Sequence, residues 1–284
     1  GGIVVHGLAQ AAALAPVSLV QRSDGSIGHF PHLIERGKPG LIAVTRGGRR
    51  FTNEADPYHD FMQGMLAALP PGEPVEAWLI CDHAFIRRYG LGAAKPAPVP
   101  LGRLLRAGYL RRGRTLAELA QRCGIDVAAL QATAQRYNAQ AEAGTDSDFA
   151  KGETAYNRMQ GDVAAGHANP CMAPLRHAPF YAVKIVPGSL GTFAGLSANA
   201  SAQALDALEQ PIAGLYVVGN DMSSLMGGHY PSGGITLGPA MTFGFVAARH
   251  AAGHAEPLTR AATPVDSSDF NDEGQAACTT NSPP

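Results

Sequence analysis

Pro211-Ile212-Ala213-Gly214-Leu215-Tyr216-Val217-Val218-Gly219-Asn220-Asp221 reads as a turn feeding a short apolar strand that ends in glycine and polar side chains. In an open α/β sheet, ligands sit at the carboxyl ends of such strands. Taken alone, the stretch is equally an ordinary strand and turn. Shortly after it comes Gly227-Gly228-His229-Tyr230-Pro231-Ser232-Gly233-Gly234-Ile235-Thr236-Leu237-Gly238-Pro239-Ala240-Met241-Thr242-Phe243-Gly244. Five glycines precede an apolar helix expected over residues 239–252, with Pro239 suited to its first turn. A helix start offers free backbone N–H groups and a positive dipole end to an electron-rich ligand. A strand ending in Gly-Asn-Asp followed by this helix start points to a ligand site.

Outward from there, residues 180–186 and 215–218 read as strands. The second is apolar on both faces, as expected of a central strand covered on both sides. Upstream, residues 41–45 and 76–82 read as strands and residues 84–89 as a short helix. Arg49-Arg50-Phe51-Thr52-Asn53-Glu54-Ala55-Asp56-Pro57-Tyr58-His59-Asp60-Phe61 leads into a helix with Phe61, Met62, Met65 and Leu66 on its apolar face. Helices are expected over residues 115–123 and 126–144, the first opened by Thr115 and Glu118 as a capping box. Residues 11–20 read as the end of an Ala-rich helix stopped by Pro16 and followed by a short strand. Residues 145–169 read as a polar surface connection, and the Pro/Ser/Thr/Asp-rich tail from residue 256 as disordered.

The 284 residues suffice for one large domain or two ordinary ones, and 45% hydrophobic against 16% charged residues describes a globular body. Lys+Arg 22 against Asp+Glu 23 leaves a net charge of -1, which argues against a nucleic-acid binder. Cys81, Cys123, Cys171 and Cys278 are scattered, so neither a disulfide framework nor a zinc site is expected, and no metal ligands stand out. No apolar run reaches transmembrane length and the N-terminus lacks a basic signal-peptide region, so the cytoplasm is the default. The chain begins without Met, as if cut from a longer one. Arg103, Arg106, Arg111, Arg112 and Arg114 read as a solvated face, with an anion or membrane surface as the alternative.

Three blocks carry a resemblance: residues 48–58 (GRRFTNEADPY), residues 180–195 (FYAVKIVPGSLGTFAG) and residues 211–244. They resemble the C-terminal half of FAD-dependent oxidoreductases of the fumarate reductase/3-ketosteroid dehydrogenase group. The resemblance spans about residues 25–252. It implies a fold of an α+β cap domain plus a partial α/β, Rossmann-like FAD-binding domain lacking its N-terminal βαβ. On that reading residues 1–24 are a remnant of the first FAD segment and residues 25–176 the substrate-covering cap. Residues 177–256 are the returning FAD segment and residues 257–284 the tail. No Gly-x-Gly-x-x-Gly follows a leading strand. The chain alone is therefore expected to bind FAD weakly, and a missing N-terminal half is a candidate partner.

Fumarate reductases carry an Arg four residues after the Asn-Glu, where this chain has Tyr58, and a His-His-Thr run where it has Leu190-Gly191-Thr192. A dicarboxylate needs cationic partners for both ends, so that branch fits poorly. The ketosteroid dehydrogenase branch matches both Tyr58 and Tyr230-Pro231-Ser232-Gly233-Gly234. The resemblance then implies desaturation of a ketone next to its carbonyl, on a small hydrophobic, steroid-like substrate. It implies Tyr58 as acid/base, with Tyr230 and the Gly234 N–H on the carbonyl oxygen and Ser232 beside them. Gly219, Asn220, Asp221, Gly234, Thr236 and Leu237 would bind FAD, and an external acceptor would take the electrons. Without the resemblance, Tyr58 is a surface aromatic, Tyr230 a loop residue on a glycine turn, and His59 and His229 solvated neighbours. The rival functions are a non-catalytic fragment without FAD and a flavin-dependent reductase of another unsaturated carbonyl compound.

Overall fold

The computed structural model describes the backbone of Val4–Val5 and residues 11–254; the tail expected to be disordered lies outside the described residues. Strands β1 (Val4–Val5), β2 (Ala12–Gln21), β3 (Ile27–Pro31) and β4 (Leu41–Val44) precede helix α1 (Tyr58–Ala68). There follow β5 (Ala77–Cys81), α2 (His83–Tyr89), α3 (Gly102–Arg106), β6 (Leu110–Gly113), α4 (Leu116–Cys123), α5 (Val127–Ala143) and α6 (Ala155–Gln160). Then come β7 (Phe180–Thr192), β8 (Gly195–Leu196), β9 (Gln203–Leu205), β10 (Pro211–Tyr216) and α7 (Leu237–Ala251). Among the described residues no helix is long and apolar enough to cross a membrane.

An antiparallel sheet in the order β3-β2-β7-β5-β4, with β6 added against β7, organises the molecule. Alternation along the strands separates its two faces. Leu41, Ala43, Leu79, Cys81, Val183 and Ile185 meet Phe61, Met62 and Met65 of α1 and Phe85 and Ile86 of α2. Ile42, Val44, Trp78, Ile80 and Ala182 meet Leu119 and Ala120 of α4 and Leu130 and Tyr137 of α5. Helices α4 and α5 start where the sequence places them. Thr115 Oγ1 accepts from the Glu118 N–H at 3.1 Å, and Asp126 Oδ1 from the Ala129 N–H at 2.8 Å.

Four expectations need correction. Residues 12–21 form one continuous strand, β2, with no helix end before the expected short strand, because pairing with β3 on one side and β7 on the other outweighs alanine's helix preference. Pro16 sits opposite Pro187 in that ladder, and its carbonyl accepts from the His32 N–H at 2.9 Å. Of the strand read at residues 215–218, Leu215 and Tyr216 lie in β10, which among the described residues pairs with β9 and leaves Leu215 43% exposed. It is an outlying hairpin strand, and its apolar character reflects no two-sided cover among the described residues. Residues 145–169 are no mere surface connection, since Asp146, Lys151, Asn157 and Asn169 are buried. Finally, β7 begins after residue 176 yet is the spine of the sheet: Val183 faces both Leu79 of β5 and Leu110 of β6, and Val17 of β2 faces Val186. The sheet therefore has no seam at residue 176. The strands beyond β7 pair antiparallel as β1–β8 and β9–β10, with one parallel bridge, Leu196 to Met222.

Candidate active site

Residues 50–58 turn from the edge of β4 into α1, and a buried polar network fixes the turn. Arg50 donates Nε to Glu54 Oε1 at 2.8 Å and Nη2 to Glu54 Oε2 at 2.7 Å, while Nη1 reaches Asp146 Oδ1 at 3.0 Å. Lys151 Nζ lies 3.2 Å from Glu54 Oε2 and donates to the Leu41 carbonyl at 2.8 Å. The Ala43 N–H donates to Glu54 Oε1 at 3.0 Å, so the same carboxylate ties the turn to β4. Burial alone would raise the Glu54 carboxyl, but Arg50 and Lys151 outweigh it and hold the pKa at about 2. Nearer the helix, Asn53 Oδ1 accepts from the Ala55 N–H at 2.9 Å and its amide donates to Asn157 Oδ1 at 2.8 Å. Asn157 in turn donates to Asp56 Oδ1 at 3.0 Å.

This framework delivers Tyr58, the first residue of α1, into an apolar cluster with Ala13 and Ala15 of β2, Phe193 and Tyr230. Tyr58 and Tyr230 are far apart in the chain, yet their rings meet edge-on with centroids 4.6 Å apart. Phe193 stands 6.2 Å from the Tyr230 ring, and Ile235 packs against the same cluster. Burial raises the Tyr58 hydroxyl well above the usual phenol range, and its hydrogen bond to Tyr230 raises it further. Tyr58 is thus held protonated, and an unaided phenolate is disfavoured at this site.

His59 and His229 part company. His229 is exposed, whereas His59 is 2% exposed, accepts the Leu14 N–H on Nδ1 at 3.1 Å and faces Phe193 edge-on at 5.1 Å. Burial lowers its pKa. With Nδ1 accepting, the neutral ring carries its proton on Nε2. His59 therefore pins β2 to α1 beneath the tyrosine pair, a role a lone loop histidine does not advertise in sequence. Phe193, inside a block that was singled out for resemblance alone, is the other member sequence reasoning left without a task.

The remaining site residues lie in the later part of the chain. Ser232 and Thr236 are half-buried, while Gly234 and Leu237 are exposed. Gly219, Asn220 and Asp221 form a single 3-10 turn. A side chain on Gly219 would come within 3.3 Å of Ala240 Cβ, so this turn abuts the first turn of α7. Thr192 Oγ1 donates to the Asn220 carbonyl, tying the turn to the end of β7. The hydroxyl pair and the turn-plus-helix start are therefore both anchored to the 190–193 segment.

The resemblance implies FAD, and the glycines test that. Gly234 has φ +97°, a conformation only glycine adopts without strain. Gly233 and Gly238 have ordinary φ and nothing within 4 Å of a Cβ, so no internal contact demands glycine there. Their bareness leaves backbone open beside the start of α7, where the Gly238 N–H already donates to the Gly234 carbonyl at 2.7 Å, Pro239 has no N–H and the Ala240 N–H donates to the Thr236 carbonyl at 3.3 Å. What the segment offers the edge of a flavin ring is the exposed, side-chain-free backbone of Gly233 and Gly234. The residues present fit that end of the cofactor.

A family model described as FAD binding domain matches residues 2–237. The chain is 42% identical over 252 residues to 4-oxocyclohex-2-ene-1-carboxylate 5-dehydrogenase of Sinomonas cyclohexanicum, covering 89% of this chain and 42% of that protein. It is 41% identical over 221 residues to 3-oxosteroid 1-dehydrogenase of Mycolicibacterium smegmatis, covering 76% and 39%. Among solved structures, 3-ketosteroid delta1-dehydrogenase from Sterolibacterium denitrificans, in complex with 1,4-androstadiene-3,17-dione, superposes with a TM-score of 0.80 at 36% identity, covering 89% of this chain and 45% of that one. The chain thus spans less than half the length of these relatives. With a match over most of its length, the chain belongs to the FAD binding domain family.

Proposed function

We propose that the protein takes part in FAD-dependent dehydrogenation of a ring ketone, forming a C=C bond next to the carbonyl. The observation that carries this reading is the buried Tyr58–Tyr230 pair, two phenols in contact within an apolar cluster beside an open glycine turn. Both relatives just named act, by their names, on ring ketones, and the related structure holds a steroid dienone. In this reading residues 25–176, joined through β7, cover the substrate, and the segment up to residue 256 returns to the cofactor.

Tyr230 donates its O–H to the ketone oxygen, and the Gly234 N–H is the second donor, so negative charge developing there is stabilised. Tyr58 donates to the Tyr230 oxygen. As the carbon beside the carbonyl loses its proton to Tyr58, Tyr58 passes its own proton to Tyr230 and Tyr230 passes one to the enolising oxygen. When the adjacent carbon gives up its hydride, that oxygen returns its proton through Tyr230 and Tyr58 to solvent, so one proton and one hydride leave and the ketone is restored. No free phenolate is needed, which fits a Tyr58 held protonated by burial. FAD, when bound, supplies the acceptor for the hydride from the adjacent carbon, which no side chain can provide. Ser232 borders the pocket, and Gly219, Asn220, Asp221, Thr236 and Leu237 line the cofactor side. Electrons leave to an external acceptor.

The test is a substrate panel on flavin-loaded protein with an artificial electron acceptor. A 3-ketosteroid and an oxocyclohexenecarboxylate bracket the substrate size. Formation of a conjugated dienone from the steroid, or of the phenol to which the smaller ring's dienone tautomerises, supports the reading; turnover of neither, with flavin bound, overturns it.

A further inference from the structure

Arg36 is 1% exposed and makes no ion pair among the described residues. Its guanidinium hydrogen-bonds three backbone carbonyls. Nε donates to His32 O at 2.7 Å, Nη1 to Glu54 O at 2.7 Å and Nη2 to Asp56 O at 3.2 Å. The plane lies over the Phe61 ring of α1 at 4.5 Å. The acidic groups nearby are engaged elsewhere: Glu54 on Arg50 and Lys151, Asp56 on Asn157, Glu35 on His32. Burial draws the Arg36 pKa down to about 10, so the group stays charged at neutral pH. Burying a cation without a directly paired anion is costly, and a well-packed Met or Leu would fill the space more cheaply if packing were the only need.

The three carbonyls explain the retention. Glu54 and Asp56 are the residues just ahead of Pro57 and Tyr58, so two arms of one guanidinium fix the turn that presents the phenol. The third arm is anchored to a rigid point, because His32 is held at both ring nitrogens. Nδ1 lies 2.6 Å from Glu35 Oε1 and Nε2 lies 2.7 Å from Ser18 Oγ. Pro57 gives α1 no side-chain cap, and the contacts of Arg50, Lys151 and Asn157 hold the turn's side chains but not the Glu54 and Asp56 carbonyls that Arg36 takes. We propose that Arg36 is a positioning residue for Tyr58, clamping the 54–56 turn against the 32–36 segment so that the phenol meets Tyr230. The groups facing the Tyr58 hydroxyl are Tyr230, Tyr156 of α6 and Arg36 itself, and the Arg36 charge opposes the upward pull of burial and the other two.

The inference rests on the proposed role of Tyr58, and two measurements separate the two. With 3-fluorotyrosine incorporated, the ¹⁹F resonance of Tyr58 is assigned by its loss in Tyr58→Phe. Arg36→Met should move or broaden that resonance while leaving Tyr216 in place, and Arg36→Lys, which keeps charge but not the three-carbonyl fork, should also displace it. An unmoved Tyr58 resonance in either folded variant overturns the inference, whatever the activity. In flavin-loaded protein, Arg36→Met should lower kcat by roughly tenfold or more with little change in KM, and add nothing in a Tyr58→Phe background. Multiplying effects in the double variant would mean that Arg36 acts independently of Tyr58. If Tyr58→Phe alone keeps full turnover, the proposed chemistry falls, and the resonance still decides the clamp.

Discussion

Lys151 Nζ and Glu54 Oε2 lie 3.2 Å apart with both side chains withdrawn from water. The pair joins the 145–169 segment to the turn before α1, and Arg50 completes it by bridging Glu54 to Asp146. This is the structural foundation under Tyr58, and it makes the site acid-sensitive.

Glu54 has a folded pKa of about 2, below the roughly 4.3 of an unfolded glutamate. A depressed carboxylate adds stability that is present above the unfolded value and lost as pH falls toward the folded one. The contribution is on the order of 3 kcal/mol. Urea melts from pH 6 down to pH 2 should show stability falling through that window. Glu54→Gln should cost about 3 kcal/mol or more at pH 7, leaving Arg50 and Lys151 short of an anion, and should flatten the acid limb. A Gln variant with unchanged pH dependence would place the acid sensitivity elsewhere.

Tyr230→Phe keeps the ring that packs on Tyr58 and Phe193 but removes the donor to the ketone oxygen. Turnover in flavin-loaded protein should drop by roughly 10²-fold, as when one oxyanion donor is lost. Flavin content and melting temperature should hardly change. Equal turnover would reduce Tyr230 to a packing residue.

Much of this was legible in the sequence, for physical reasons that differ by residue. Thr115 and Asp126 announce helix starts because capping is a local interaction, and the strands β4 and β5 announce themselves by continuous apolar runs. Tyr58 and Tyr230 were found by resemblance, since nothing in either local stretch says that two loop-flanking phenols will meet. Pairing between distant segments is what stayed hidden. Alanine-rich β2 became a strand only because β7 and β3 flank it, and β7 could not be seen as the spine before its three partners were known. Nothing in the sequence marks Arg36 or Lys151 as buried, because burial of a charge depends on carbonyls and carboxylates far away in the chain.

Gly233 and Gly234 should respond differently to alanine. At Gly234 a side chain has open space but φ is +97°, so Gly234→Ala strains the backbone and should cost about 1 kcal/mol or more. At Gly233 neither φ nor space forbids a methyl group, so Gly233→Ala should leave stability within about 0.5 kcal/mol. Its effect should fall on binding instead, with weaker flavin or ketone affinity by titration. If Gly233→Ala binds both as tightly as the parent, the open backbone there serves neither.

Limited proteolysis tests how the sheet divides the chain. A resistant core ending near residue 176 would follow if the segment before it formed a self-contained unit. In the structure such a fragment lacks β7, and with it the partner of β2, β5 and β6. Val183 and Ile185, fully buried between α1 and the sheet, would leave a hole in the core. Deleting large buried side chains costs roughly 2–5 kcal/mol each, and losing a central strand removes many at once. The protease-resistant fragment should therefore run past Thr192. Early cleavage should instead strike the outlying hairpin, where Leu208 is 78% exposed and Glu209 has φ 58°. Mass spectrometry of the digest reads the boundary directly. A stable, folded fragment ending before Phe180 would show that the first helices and strands close their core without β7.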